Sequence, residues 1–103
     1  MQIQYNISNI GEEDQRIVER LDDLFNSNLS RFTEKITRLE VHLSDENSHK
    51  EGQNDKRCML EARIAGVSPI AVTSQASSFD EASKIASGKL KNKLDTIFDK
   101  LKN

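Results

Sequence analysis

His42, Asp45, Glu46, His49, Asp55 and Cys58 fall within seventeen positions of one another and are the residue types best suited to chemistry in this 103-residue chain. Imidazole, carboxylate and thiolate groups bind zinc-class ions, and a bound ion would activate water for hydrolysis. Their spacing argues against that use. His42 and Cys58 occupy positions in two alternating runs that turn them to opposite sides of a sheet, and the stretch between them matches no calcium-loop pattern. The sequence has neither a phosphate-cradling glycine loop nor a serine or cysteine nucleophile with a plausible triad. A solvated acidic loop with two surface histidines is the plainer reading. No catalytic residue, metal or cofactor is therefore expected. A metal-dependent enzyme built on His42 and the loop is kept as a third reading.

A second group with chemical potential lies near the end of the chain. From Lys84 to Asn103 there are six lysines against Asp95 and Asp99, whereas six acids lie between Glu12 and Asp23 against Arg16 and Arg20. The net charge of −2 hides this dipolar distribution and argues against indiscriminate nucleic-acid binding. On a helical wheel Lys89, Lys93 and Lys100 border one side of an apolar stripe, and Lys84, Lys91 and Lys102 the other. Two readings stay open on these residues alone. Lysines flanking a core stripe bury their stems and keep the charge in water. The same lysines can also contact phosphates.

The elements that must position these groups follow from periodicity. Gln2 to Ser8 alternates as a short strand with Ile3, Tyr5 and Ile7 on one side. Gly11 breaks it, and acids at Glu12, Glu13 and Asp14 suit a helix start. Ile17, Leu21, Leu24 and Phe25, flanked by Val18 and Leu29, form the stripe of a helix from about Glu12 to Leu29. Phe32 and Ile36 should plug the core. Leu39, Val41 and Leu43 mark a second strand, and Cys58, Leu60, Ala62 and Ile64 a third. The polar stretch from Asp45 to Asp55 connects them. Gly66-Val67-Ser68-Pro69 reads as a turn, followed by a fourth strand over Ile70 to Gln75. Ser78 and Glu81 form a capping box for a last helix carrying Phe79, Ala86, Leu90, Leu94, Ile97 and Leu101 on one face, with Phe98 at its margin.

The expected fold is α+β, in the order β-α-β-β-β-α: a four-stranded mixed sheet with the first two strands parallel and both helices on one face. The other face is open to water and carries Gln2, Gln4, Asn6, Arg38, Glu40, His42, Arg57, Met59, Glu61, Arg63, Thr73 and Gln75. It lacks the aromatics that stack single-stranded bases. An apolar content of 35% with 31% charged residues fits one domain over residues 1–103. Cys58, the single cysteine, points inward and reads as a small buried hydrophobe in a reducing compartment. With neither a membrane span nor a targeting segment in view, a cytoplasmic location is expected.

The chain also resembles the ribosome hibernation-promoting factor and ribosome-associated inhibitor (protein Y) family in its short, single-domain form. The likeness runs from the strand-opening MQI through ITRLEVHLSDEN to the helix with Lys89-Leu90 and Leu94. Its most specific segments are VHLSDEN at Val41 to Asn47, DKRC at Asp55 to Cys58 and LEAR at Leu60 to Arg63. The resemblance implies a fold akin to the double-stranded RNA-binding domain. It also implies binding to the small ribosomal subunit in the mRNA and tRNA channel, with translation blocked under stress through contacts to ribosomal RNA phosphates.

By that resemblance Lys89 matches the family's basic position, Lys91 and Lys93 stand beside Asn92 where an arginine is frequent, and Arg57 and Arg63 match within the subgroup. Lys84 and Lys100 complete the expected RNA-binding set. This chain departs from the well-known members at Asp22 and Asp23, where they are basic, and at Asp80, where they often carry tyrosine. The partner implied is small-subunit RNA, with no membrane, no small-molecule substrate and a monomer off the ribosome. The rival reading is a protein-interaction or regulatory module of the same fold that does not bind ribosomes.

Overall fold

A computed structural model describes residues 1–8, 15–46 and 55–101. Among these residues, alternation of apolar and polar side chains produces four strands: β1 (Gln2–Ser8), β2 (Ile36–Asp45), β3 (Lys56–Ile64) and β4 (Val67–Ala76). Among the described residues two helices follow the 3.6-residue period, α1 (Gln15–Asn28) and α2 (Phe79–Leu101), and a 3-10 turn at Ser30–Phe32 lies between α1 and β2. The sheet order is β1-β2-β3-β4, with β1 parallel to β2 and the other neighbours antiparallel. This is the expected α+β order. The proposed helix start at Glu12, the loop interior including His49, and Lys102 lie outside the described residues.

The register explains how one face is buried. Leu39, Val41 and Leu43 pair with Ala62, Leu60 and Cys58, and all six sit within 1% of full burial. Ile17, Leu21, Phe25 and Leu29 meet them from α1, and Phe79, Ala82, Ala86, Leu90 and Leu94 from α2, in one continuous core. Phe32 and Ile36 are buried as expected. At the margin the Phe32 and Phe98 rings stack with centroids 5.7 Å apart. None of the open-face residues read from the alternation is buried.

Two local readings need correction. The turn after β3 is tighter than Gly66 to Pro69: the chain reverses at Ala65-Gly66, and β4 already begins at Val67. Gly66 takes φ 79°, the left-handed value that favours glycine in a two-residue hairpin. Pro69 is tolerated inside the strand because β4 is a sheet edge. The buried side of α2 is also wider than the large apolar residues indicate, since Ser83 and Ser87 are fully buried. Ser78 does cap α2, its Oγ accepting from the Glu81 N–H at 3.1 Å, but the Glu81 carboxylate accepts from the Ser77 hydroxyl at 3.0 Å. Among the described residues no helix is long and apolar enough to cross a membrane.

Candidate functional site

The metal-like constellation is taken apart by the sheet. Cys58 faces Leu43 inside the core, whereas His42 pairs with Met59 on the open face. Burial pushes the Cys58 thiol up to about 11, and the Ser83 hydroxyl, 3.6 Å from the sulfur, only partly offsets this. That is the thiol of an inert core residue. Asp45 and Asp55 are drawn to Lys56 at 2.6 and 3.4 Å, and the Asp55 carbonyl accepts from the Glu46 N–H at 2.8 Å. Lys56, raised in pKa mainly by its hydrogen bond to Asp45, also lies 5.9 Å from the Phe79 ring centroid. The described ends of the acidic loop are thus fastened together by a cation of the chain itself.

The open face is occupied with its own charges. Its register sets Arg38 opposite Arg63 and Glu40 opposite Glu61, like against like. One diagonal pair and two pairs along the strands relieve the repulsion: Arg63 reaches Glu40 across the strands at 2.8 Å and Glu61 on its own strand at 3.0 Å, and Arg38 reaches Glu40 on its own strand at 3.3 Å. The Arg63 hydrogen bond holds the Glu40 carboxyl below the usual carboxylate range, and Glu40 in turn raises the Arg63 guanidinium. Arg57 lies 3.7 Å from Glu46. Arg57 and Arg63 therefore sit on the face away from the helices and are already paired.

The helix layer is different. Lys84, Lys89, Lys91, Lys93 and Lys100 are all exposed on α2, and among the described residues none has a carboxylate oxygen within 4.0 Å. The acids of α2 that do pair take cations from outside it, Asp80 from Arg20 of α1 at 3.1 Å and Asp95 from Arg31 of the 3-10 turn at 3.0 Å. Asp80 thus serves α1 rather than weakening the lysine row directly.

The lysines divide as the helical wheel indicates. Lys89 and Lys93, with Asn92, line a groove against Ala71, Val72 and Thr73 of β4. Lys84 and Lys91 line a cleft against Ser27 and Asn28 of α1 and Ser30 and Arg31 of the 3-10 turn, with Gly88 between them. Asn28 Nδ2 donates to Ser87 Oγ at 2.8 Å and Ser87 Oγ to the Lys84 carbonyl at 2.9 Å, fixing one helix against the other beside this cleft. Sequence reasoning missed Arg31 and Gly88. The signal available was a glycine inside a helical run with lysines four residues before and three after it.

Chemically, α2 offers ammonium donors and the Asn92 amide, and the segments facing it add the hydroxyls of Ser27, Ser30 and Thr73, the equipment for holding anionic oxygens. The structure is similar to that of the N-terminal domain of Thermus thermophilus protein Y, with a TM-score of 0.72 and 16% identity over 94% of this chain and 99% of that one. It is also similar to a ribosomal subunit interface protein from Coxiella burnetii, with a TM-score of 0.69 and 16% identity over 96% and 99%. Neither a family model nor a curated protein matches the sequence. At that identity the shared property is the fold, which is the one the protein Y resemblance implies.

Proposed function

We propose that this protein is a cytoplasmic, non-enzymatic ribosome-associated factor that binds small-subunit RNA through α2 and inhibits translation by occupying the mRNA and tRNA channel. The observation that carries the reading is the row of exposed α2 lysines without carboxylate partners among the described residues, on a chain whose net charge is −2. Charges left unpaired within the fold are free to replace phosphate counterions. The shared fold with protein Y and a ribosomal subunit interface protein supports the same partner. Lys84, Lys89, Lys91, Lys93 and Lys100 are assigned to RNA phosphates, and Arg57 and Arg63 to charge pairing within the sheet. The protein acts as a single-domain monomer off the ribosome.

Co-sedimentation with ribosomes across a salt series tests this. Association at low salt that weakens steeply as salt rises is expected. No association at low salt, or association indifferent to salt, overturns the RNA reading and leaves a protein-interaction module of the same fold.

A further inference from the structure

Gly88 stands in the interior of α2, where glycine is among the least favourable residues for a helix. Nothing in the fold asks for it. Among the described residues a Cβ built at this position meets no atom within 4 Å beyond the local helix backbone, and Gly88 is not held at positive φ. Packing and backbone conformation therefore both leave the residue unexplained. What glycine does here is keep space open, and that space belongs to the basic cleft.

Lys84 precedes Gly88 by four residues and Lys91 follows it by three, so all three lie along one helix face. The lysines are about 10.5 Å apart along the axis at the helical rise of about 1.5 Å per residue, with bare backbone between them. Ser27 and Ser30 add hydroxyls from across the cleft, and Arg31 adds a guanidinium, one of whose amines is taken by Asp95. Among the described residues no acid lines the cleft. A tetrahedral anion placed over Gly88 is flanked by two ammonium groups that have no carboxylate partner among those residues.

We infer that Gly88 opens a seat for an RNA backbone phosphate between Lys84 and Lys91. This rests on the ribosome reading above and deepens it by naming where on α2 the strand makes its closest approach. The glycine lets the phosphate come nearer to the helix axis than any side chain permits. In doing so it shortens the distance from the phosphate to both lysines.

Gly88→Ala and Gly88→Gln, compared with the wild type by thermal unfolding and by ribosome co-sedimentation across a salt series, test the seat. For Gly88→Ala the Tm should rise by roughly 2–8 °C, because alanine is the better helix former. Ribosome affinity should nevertheless fall by about tenfold, and further for Gly88→Gln, because the charge-assisted hydrogen bonds to the phosphate are weakened. The slope of log affinity against log salt should become shallower by about 1 for each phosphate that is no longer neutralised. Variants that bind with wild-type affinity and slope overturn the seat and leave the ribosome reading standing. A lowered Tm for Gly88→Ala also overturns it, since the glycine would then serve the fold. A wild-type protein that fails to bind at low salt overturns the ribosome reading, and the seat with it.

Discussion

The ammonium of Lys89 donates to the main-chain carbonyl of Thr73 at 2.9 Å, joining α2 to the sheet at β4. β4 is an edge strand of ten residues, and such an edge invites pairing with other chains. Pro69 within the strand and Lys89 folded onto it both blunt that tendency. The lysine that the family resemblance puts first thus has a use inside the fold before any ligand arrives. Lys84, Lys91 and Lys93 make no such side-chain bond among the described residues, and their charges are the more available.

Lys89→Glu combined with Lys93→Glu should abolish co-sedimentation with ribosomes while leaving a cooperatively unfolding domain. Each reversal both removes a cation and adds a repulsive charge beside a phosphate. Loss of the Thr73 bond should cost about 0.5–1.5 kcal/mol, readable by urea unfolding, because the bond is exposed and its carbonyl can turn to water. A double variant that sediments as the wild type does removes the groove between α2 and β4 from the interface.

Arg57→Ala and Arg63→Ala should leave ribosome binding close to wild type, since both residues lie on the opposite face and are already paired. Their readout is stability against pH. The Glu40 carboxyl is lowered from its ordinary value of 4.5 by the Arg63 bond. A depressed folded-state value means that the stabilisation is complete above the ordinary value and is lost as the pH falls through the lowered one. Urea unfolding from pH 7 down to pH 3 should show an acid-side decline that is smaller in Glu40→Gln and in Arg63→Ala. An unchanged decline in both variants refutes the pairing.

Much of this arrangement was legible in the chain because side-chain periodicity and burial are linked. Alternation at Leu39, Val41 and Leu43 against Cys58, Leu60 and Ala62 already implies which face is wet, and with it that His42 and Cys58 cannot share an ion. The α2 wheel likewise separates Lys84 and Lys91 from Lys89 and Lys93. What alternation does not carry is which charges meet across strands. Arg63 differs little from Lys93 as a cation in the sequence, yet register places Glu40 and Glu61 beside the first and no described carboxylate beside the second. The start of β4 was hidden for a similar reason: Pro69 reads as a turn residue until its strand is known to be an edge. The contribution of Arg31 to the cleft depends on the path of the chain after α1, which no local pattern specifies.

Cys58 should resist thiol reagents in the native protein at pH 8 and react readily in urea. Its thiol is buried among apolar residues, and its value is raised from 9.0 to about 11. For this acid a raised folded-state value means that the native form holds its proton more tightly than the unfolded chain. The Cys58 contribution to stability is therefore flat below pH 9 and declines between pH 9 and 11. Cys58→Ser should cost about 1–3 kcal/mol by placing a hydroxyl in the apolar core with Ser83 as its nearest partner. Fast labelling under native conditions would contradict the burial.

Tyr5 fastens the other edge of the sheet to α1. Its hydroxyl donates to Asp22 Oδ1 at 2.5 Å, while the ring packs against the core from β1. Burial first, and then the Asp22 carboxylate, push the phenol well above its ordinary value of 10.0. The native state therefore keeps the proton where the unfolded chain releases it, and stability present below pH 10 is lost as the pH rises past that value. The chain has one tyrosine and no tryptophan, so phenolate absorbance reports this group alone. In an alkaline titration the phenolate signal should stay absent through pH 10 and then appear together with unfolding measured by circular dichroism. Asp22→Asn should lower the onset, because the carboxylate contributes both a hydrogen bond and a repulsive charge to the phenolate. Tyr5→Phe should lose about 1.5–3 kcal/mol, the range for a hydrogen bond to a charged partner, and should leave ribosome binding unchanged because β1 lies at the sheet edge opposite β4, whereas α2 packs on β3 and β4. An early phenolate signal in a protein still folded would show that the Asp22 bond does not hold β1 in solution.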